Sequence, residues 1–353
     1  MGAVIIGTGS YIPDQIINNS AFEKNQFYEA DGTKLNRGNE SIIAKFSEIT
    51  GIHERRYANS EQKASDLGFL AAQYALESAG IDAETIDNII VAHNFGDVAA
   101  QSNRTSQVPS LASRIKAMLG IKNPDCVGYD LLFGCPGWIE GVIHANSFIS
   151  SGMSKRCLVI GTETISRVID PHDRDSMIYA DGSGAAILEA SSSPSRGIIT
   201  HKTKTYASES NLLRMDSSYS DLTDENDQFL KMNGRKVYEF ALTNVPLVMK
   251  EVIDKAGLHL NDIKKVLVHQ ANDKMDHAIL QRLFKLYGQN EIPGNLMPMT
   301  IGWLGNSSVA TVPTLLDLIC RKQLAGHEIN SGDYILMASV GAGMNINALV
   351  YQY

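Results

Sequence analysis

Two segments half a chain apart carry one pattern, and that repetition constrains the fold more than any other feature. Ala79-Gly80-Ile81, then Ile86, then the run Ile89-Ile90-Val91 recurs as Ala256-Gly257-Leu258, Ile263 and Val266-Leu267-Val268, every pair of positions being 177 residues apart. Further on, Gly134-Cys135 and Gly305-Asn306 each precede a helical pattern followed by a Ser-Gly pair, Ser151-Gly152 and Ser331-Gly332, and a strand. Helix, glycine and strand are ordinary α/β grammar, which is the competing reading. Similarity at half the length of a 353-residue chain nevertheless predicts two homologous halves packed together, residues 1-200 and 201-353.

The elements fit that division. Val4-Ile5-Ile6, Ile89-Ile90-Val91, Cys157-Leu158-Val159-Ile160, Val266-Leu267-Val268 and Tyr334-Ile335-Leu336-Met337 read as buried strands. Asp66 to Ala79, Trp138 to Ser150, Val245 to Ala256, Lys274 to Leu286 and Val312 to Gln323 carry apolar residues at three- and four-residue spacing, as helices packed on a sheet do. The class is α/β. His201 to Phe229 reads as the connection between halves plus a surface excursion, and Asn25 to Glu40 and Ala99 to Pro109 as further loops.

Composition removes several functions. A net charge of −8 argues against a nucleic-acid coat or a polybasic membrane binder. No apolar run approaches the roughly 18 residues that span a bilayer, and the first residues lack a secretory pattern, so a cytoplasmic protein is expected. The four cysteines, at 126, 135, 157 and 320, include no C-x-x-C pair and have no histidines at zinc-finger spacing, so free thiols and no metal are expected. Gly7-Thr8-Gly9-Ser10 resembles the start of a dinucleotide fingerprint, but its third glycine is missing and Ile12-Pro13 follows.

One cysteine stands apart. The strand-like Val127 to Leu132 runs into Gly134, and Pro136 suits a first helical position, where its missing N–H costs nothing. Cys135 thus lies at the positive end of a helix, where a thiolate is stabilised and its pKa can fall from about 8.5. Cys126, Cys157 and Cys320 read as inert small hydrophobes. His269, at the end of Val266-Leu267-Val268, projects towards the crevice where α/β proteins place their sites. Asn306 is the counterpart of Cys135 in the second copy, so a pseudo-twofold axis turns both helix starts towards one centre. Taken alone, Asn306 reads as a helix cap and His269 as an ordinary core or surface histidine.

Cys135, His269-Gln270-Ala271-Asn272 and Gly305-Asn306-Ser307-Ser308-Val309-Ala310, in that order, make the chain resemble the ketoacyl-acyl-carrier-protein synthase III group of the thiolase superfamily. The likeness extends to Gly7 through Pro13, Thr50-Gly51-Ile52 with Arg55-Arg56, Asp181 through Ala186, and Gly341-Ala342-Gly343. The resemblance implies a five-layered αβαβα thiolase fold of two duplicated halves, usually a homodimer, working without a metal or redox cofactor. It implies that Cys135 takes an acyl group from acyl-CoA or acyl carrier protein, and that a second thioester, typically malonyl, loses CO2 and attacks it. His269 and Asn306 would then stabilise the enolate, and backbone N–H groups of Cys135 and of Gly341, Ala342 and Gly343 would hold the other oxyanion. Two alternatives keep the fold: an acyltransferase to an oxygen or amine nucleophile, and a noncatalytic partner subunit of another ketosynthase.

Departures bear on substrate. The family's tryptophan upstream of Thr-Gly-Ile has no counterpart, Lys45 and Phe46 occupying that region, while Arg167 matches the family's adenine-side arginine. With the Ala99 to Pro109 loop and Ala342 in the glycine turn, these point to a specialised synthase, similar to the dialkylresorcinol-forming ketosynthases. Lys264, Lys265, Lys274, Arg282 and Lys285 gather around the His269 motif as a basic face for an acidic carrier protein, Lys274 at the family's carrier-contacting position. The competing reading of each is a solvated helical face.

Overall fold

In the computed structural model, which describes residues 2–191, 196–224 and 226–353, the long strands form two sheets. The first has the order Ala3–Tyr11, Asp181–Ala190, Arg156–Thr164, Asn88–Ala92, Val127–Leu131. The second has the order Gly197–Thr205, Asn345–Gln352, Tyr334–Gly341, Ile263–Val268. Both are antiparallel at the first-named end and parallel at the other. They differ in one strand: among the described residues nothing in the second sheet corresponds to Val127–Leu131, and the N–H of Val266 donates instead to the carbonyl of Leu296, in irregular chain.

Helices fill three layers around these sheets. Ala64–Ala79 and Leu111–Met118 cover the outer face of the first, with Ala71, Ala75 and Ile115 against Leu158, Ile160 and Ile187. Gly137–Ser150 and Thr311–Cys320 lie between the sheets, where Trp138, Val142, Leu315 and Ile319 meet Ile90 and Val159 on one side and Leu267 and Met337 on the other. Gly234–Lys255 and Asp273–Leu286 cover the second sheet through Val248, Val252, Ile279 and Leu283. This is the five-layered αβαβα architecture. Sheets covered on both faces explain the continuous apolar runs of their parallel strands.

The 177-residue repeat is structural. Gly80 and Gly257 both take positive φ, 64° and 70°, just beyond a helix, where only glycine avoids a steric cost. A short 3-10 turn, Ala83–Thr85 or Leu260–Asp262, then leads into the strand. The strand Gly197–Thr205 spans the expected division at 200/201 and pairs within the second sheet, so that sheet already begins at Gly197.

One helix departs from expectation. Apolar spacing predicts Val245 to Ala256, but the helix runs from Gly234 to Lys255 with Pro246 inside it. Proline removes the N–H that would bond the carbonyl four residues earlier. That carbonyl, of Leu242, is met instead by Nη1 of Arg282 at 3.2 Å. The expected surface excursion is also tied down: Leu213–Asp216 pairs with Phe229–Met232, and Lys231 is buried against Asp170 and Asp173.

Candidate active site

Cys135 lies in a turn made possible by glycine on both sides of the contact. Gly134 has φ 64°, and a Cβ there would stand 2.7 Å from the backbone N of Ala342; a Cβ on Gly341 would stand 2.5 Å from the N of Cys135. The nucleophile's turn therefore packs backbone to backbone on the turn between the last two strands. Asn345 Nδ2 donates to the carbonyl of Ala342 at 2.8 Å, and Asn347 Nδ2 to that of Pro136 at 2.9 Å. The helix itself starts at Gly137, with Pro136 as its cap.

Ser308 joins the candidate residues. Its hydroxyl donates to Cys135 Sγ at 3.2 Å, and its backbone N–H donates to Asn306 Oδ1 at 2.8 Å. Its carbonyl lies 3.0 Å from Thr311 Oγ1, and that hydroxyl lies 2.8 Å from His269 Nδ1. Ser308 holds φ 53°, a left-handed conformation that a serine adopts only under such restraint. With its carbonyl oxygen engaged, Asn306 has its Nδ2 group left to donate into the adjoining cavity. Behind Ser308, Asn94 Nδ2 donates to Ser308 Oγ at 3.1 Å and also to Glu163 Oε1, while Glu163 Oε2 is buried without a hydrogen-bond partner.

The centre is held uncharged. Burial pushes the Cys135 thiol up to about 11, Glu163 adding to the effect and the Ser308 hydroxyl opposing it. This corrects the expected fall in thiol pKa: no cation is among the groups acting on the sulfur, and the cost of enclosing a thiolate exceeds what one hydroxyl and a helix start return. Burial also brings His269 down to about 4 and Glu163 up to about 8.

A cavity of about 940 Å³ reaches Asn306, with Ile42, Phe46, Met232 and Met275 in its wall. Arg37, Lys45, Arg174 and Arg235 stand on its exposed rim. Arg167 does not line it. Its guanidinium donates to the carbonyls of Val98 and Asn59, and it borders a separate cleft of about 500 Å³ with residues 100–104. Arg174, seven positions on, stands at the cavity instead.

Of the expected basic face, Lys264, Lys274, Arg282 and Lys285 are exposed and Lys265 is not. Lys274 is exposed beside the cavity residues Asn272 and Met275, with Nζ 3.9 Å from Glu48. Lys265 is buried and donates to the carbonyl of Asn295 at 2.7 Å, and Arg282 serves the helix carbonyl of Leu242. Cys126 and Cys157 are buried, and all four cysteines are free thiols. Among the described residues no group of metal-binding side chains is present, and no helix is long and apolar enough to cross a membrane.

Sequence reasoning singled out Cys135, His269 and Asn306, which the structure links through Ser308, and missed Ser308, Thr311, Asn94, Glu163 and Arg174 as members of the site. Glu163 did leave a signal, as an acid three positions after the buried run Cys157 to Ile160.

Known proteins are similar to this chain in sequence and fold. The family model described as 3-oxoacyl-[acyl-carrier-protein (ACP)] synthase III matches residues 129–207, and its C-terminal counterpart matches 253–353. Beta-ketoacyl-[acyl-carrier-protein] synthase III 1 of Vibrio vulnificus strain YJ016 is 33% identical over the full length of both chains. Among solved structures, 3-oxoacyl-[acyl-carrier-protein] synthase III from Aquifex aeolicus VF5 matches with TM-score 0.82 and 29% identity, covering 100% of both chains. The priming beta-ketosynthase of the R1128 polyketide biosynthetic pathway matches with TM-score 0.81 and 27% identity over 99% of this chain and 96% of its own.

Proposed function

Since the chain belongs to the 3-oxoacyl-[acyl-carrier-protein] synthase III family and is a condensing enzyme of fatty-acid biosynthesis, we propose that Cys135 accepts the acyl group and that His269 and Asn306 stabilise the enolate that attacks it. In the first half-reaction the Cys135 sulfur attacks the thioester carbonyl, the donor's thiol departs with the proton that the cysteine loses, and the acyl group remains on sulfur. Backbone N–H groups of Cys135 and of the turn Gly341, Ala342 and Gly343 stabilise the oxyanion. In the second, a malonyl thioester loses CO2, and the electron pair of the broken bond spreads onto the thioester oxygen. Asn306 Nδ2 and Nε2 of His269 donate to that oxygen. The carbanion carbon then bonds the acyl carbonyl carbon, the C–S bond breaks, and the departing sulfur takes up one proton from solvent to return the Cys135 thiol.

The observation that carries this reading is the Ser308 hub, which ties nucleophile, amide and imidazole into one hydrogen-bonded unit. A neutral imidazole suits the role, because it donates to an enolate without protonating it. The chemistry needs side chains and two thioesters, and no resident cofactor. The rim cations Arg37, Lys45, Arg174 and Arg235 suit a phosphate-bearing thioester arm, and exposed Lys274 suits an acidic carrier protein. Homodimerisation has support in the edge strand Val127–Leu131, unpaired on one side and followed by exposed Leu132. Four free thiols fit a reducing, cytoplasmic setting. Family membership favours condensation over transfer to oxygen or nitrogen and over a noncatalytic subunit.

Intact-mass measurement after incubation with a panel of acyl thioesters, followed by a malonyl thioester, tests the reading. One acyl mass on wild type, absent from Cys135→Ala and discharged by the malonyl thioester, is expected. Acyl mass persisting on the variant overturns it.

A further inference from the structure

We propose that Thr311 is a positioning residue whose hydroxyl donates to Nδ1 of His269 and so places the imidazole proton on Nε2. The inference rests on the reading of His269 as an enolate donor, and concerns how that donor is made. A neutral imidazole has one N–H, and the hydrogen bond at one nitrogen fixes the character of the other. Nδ1 faces Thr311 Oγ1 at 2.8 Å, and that hydroxyl also lies 3.0 Å from the carbonyl of Ser308. A carbonyl only accepts, so the hydroxyl proton has two destinations.

If Thr311 donates to Ser308, then Nδ1–H donates to Thr311 and Nε2 is a bare acceptor, useless to an enolate. If the hydroxyl turns to Nδ1, the imidazole proton resides on Nε2 and the donor exists. Doubly protonated imidazole would bypass the choice, but burial works against that form. Both residues are enclosed, His269 at 5% and Thr311 at 4% exposure, so solvent is a poor substitute partner. Ser308 stays held by Asn306 and Asn94 in either arrangement, and its carbonyl, which also acts on the His269 ring, competes with Nδ1 for the one hydroxyl proton. A misassigned tautomer is known to cripple an otherwise intact catalytic histidine.

The test compares wild type, Thr311→Ser, Thr311→Val and His269→Ala. Nitrogen-15 NMR of the His269 ring, with a non-decarboxylating malonyl thioester analogue bound, reads the tautomer directly. Wild type and the serine variant are expected to show the proton on Nε2, and the valine variant on Nδ1, donating to the freed Ser308 carbonyl. The ratio of condensation to acylation rate should fall about 10²-fold in the valine variant, through kcat more than KM, in keeping with loss of one oxyanion donor, and should recover with serine. A valine variant that keeps Nε2–H and its condensation rate overturns the proposal. Should valine prevent folding, wild type alone decides, since an unprotonated Nε2 in the analogue complex overturns it too. Undiminished condensation by His269→Ala would instead overturn the underlying enolate-donor reading, and the ring spectra keep the two failures distinct.

Discussion

The turn before the central helix presents Cys135 in the first half and Asn306 in the second. Each is entered through a glycine of positive φ, Gly134 at 64° and Gly305 at 68°, so the two backbones begin alike. They then diverge. The first helix opens at Gly137, two residues past the cysteine, whereas a 3-10 turn, Ser308–Ala310, delays the second until Thr311. The strand ends differ to match. The position 177 residues before His269 is Ala92, and a Cβ on Gly137 would lie only 3.0 Å from its Cβ, so small residues let that helix start press close. In the second half Thr311 meets an imidazole. A duplicated frame thus holds a nucleophile where it packs tightest and hydrogen-bonding groups where an extra turn makes room.

The strongest way to break this contrast is to exchange its centrepieces. Cys135→Ala should eliminate acyl-enzyme and reduce overall turnover by on the order of 10⁴-fold or more, with thermal stability little altered, as read by intact mass and calorimetry. Asn306→Ala should spare acylation while lowering condensation by roughly 10²- to 10³-fold. Equal loss of both half-reactions would mean that Asn306 serves the nucleophile's own turn instead.

Two buried neutral groups pull stability in opposite directions with pH, over windows that overlap between about 4.5 and 6.5. Between pH about 4 and 6.5 the unfolded chain binds a proton at His269 that the folded site excludes, so stability should rise with pH there, by roughly 3 kcal/mol across the window. Glu163 acts in the opposite sense: between about 4.5 and 8 the folded carboxyl keeps a proton that the unfolded chain releases, and stability should fall as pH rises. In unfolding midpoints relative to wild type, His269→Gln should remove a stabilising trend with rising pH below about 6.5 and Glu163→Gln a destabilising one up to about 8, on a background to which Asp175 and Asp181 also contribute; variant profiles parallel to wild type would assign the titration elsewhere.

The smallest effects separate two residues of the expected basic face. Arg282→Ala should cost about 1 kcal/mol of stability by leaving the Leu242 carbonyl without its donor. Lys274→Glu should leave stability within about 0.5 kcal/mol and raise KM for a carrier-bound substrate severalfold at low salt. The reverse pattern would return Arg282 to the docking surface.

Much of this was legible before any coordinates. Repeats report which backbones must look alike, so the two halves and their glycine-terminated helices followed from Ala79-Gly80-Ile81 and its echo, and the turns of Cys135 and Asn306 from the separate match of Gly134-Cys135 with Gly305-Asn306. Local spacing is silent about partners distant in sequence. Asn94, Glu163 and Ser308 meet only because separate strands and loops end at one place. Arg167 and Arg174 are both arginines in one polar stretch, and only the path of the chain sends the second to the cavity. Pro246 hid the front of its helix because the remedy for its missing N–H, Arg282, lies on another helix.

The contact of Gly341 with Cys135 also dictates timing. Gly341 ends the penultimate strand, and its pairing with Asn345 belongs to a hairpin formed by nearly the last residues of the chain. A nascent polypeptide can complete most of its first sheet and expose its thiol long before that hairpin is synthesised. The seat of the nucleophile is therefore assembled after the sheet that carries the thiol can form, and a chain cut short before Asn345–Gln352 carries the cysteine without the turn that seats it.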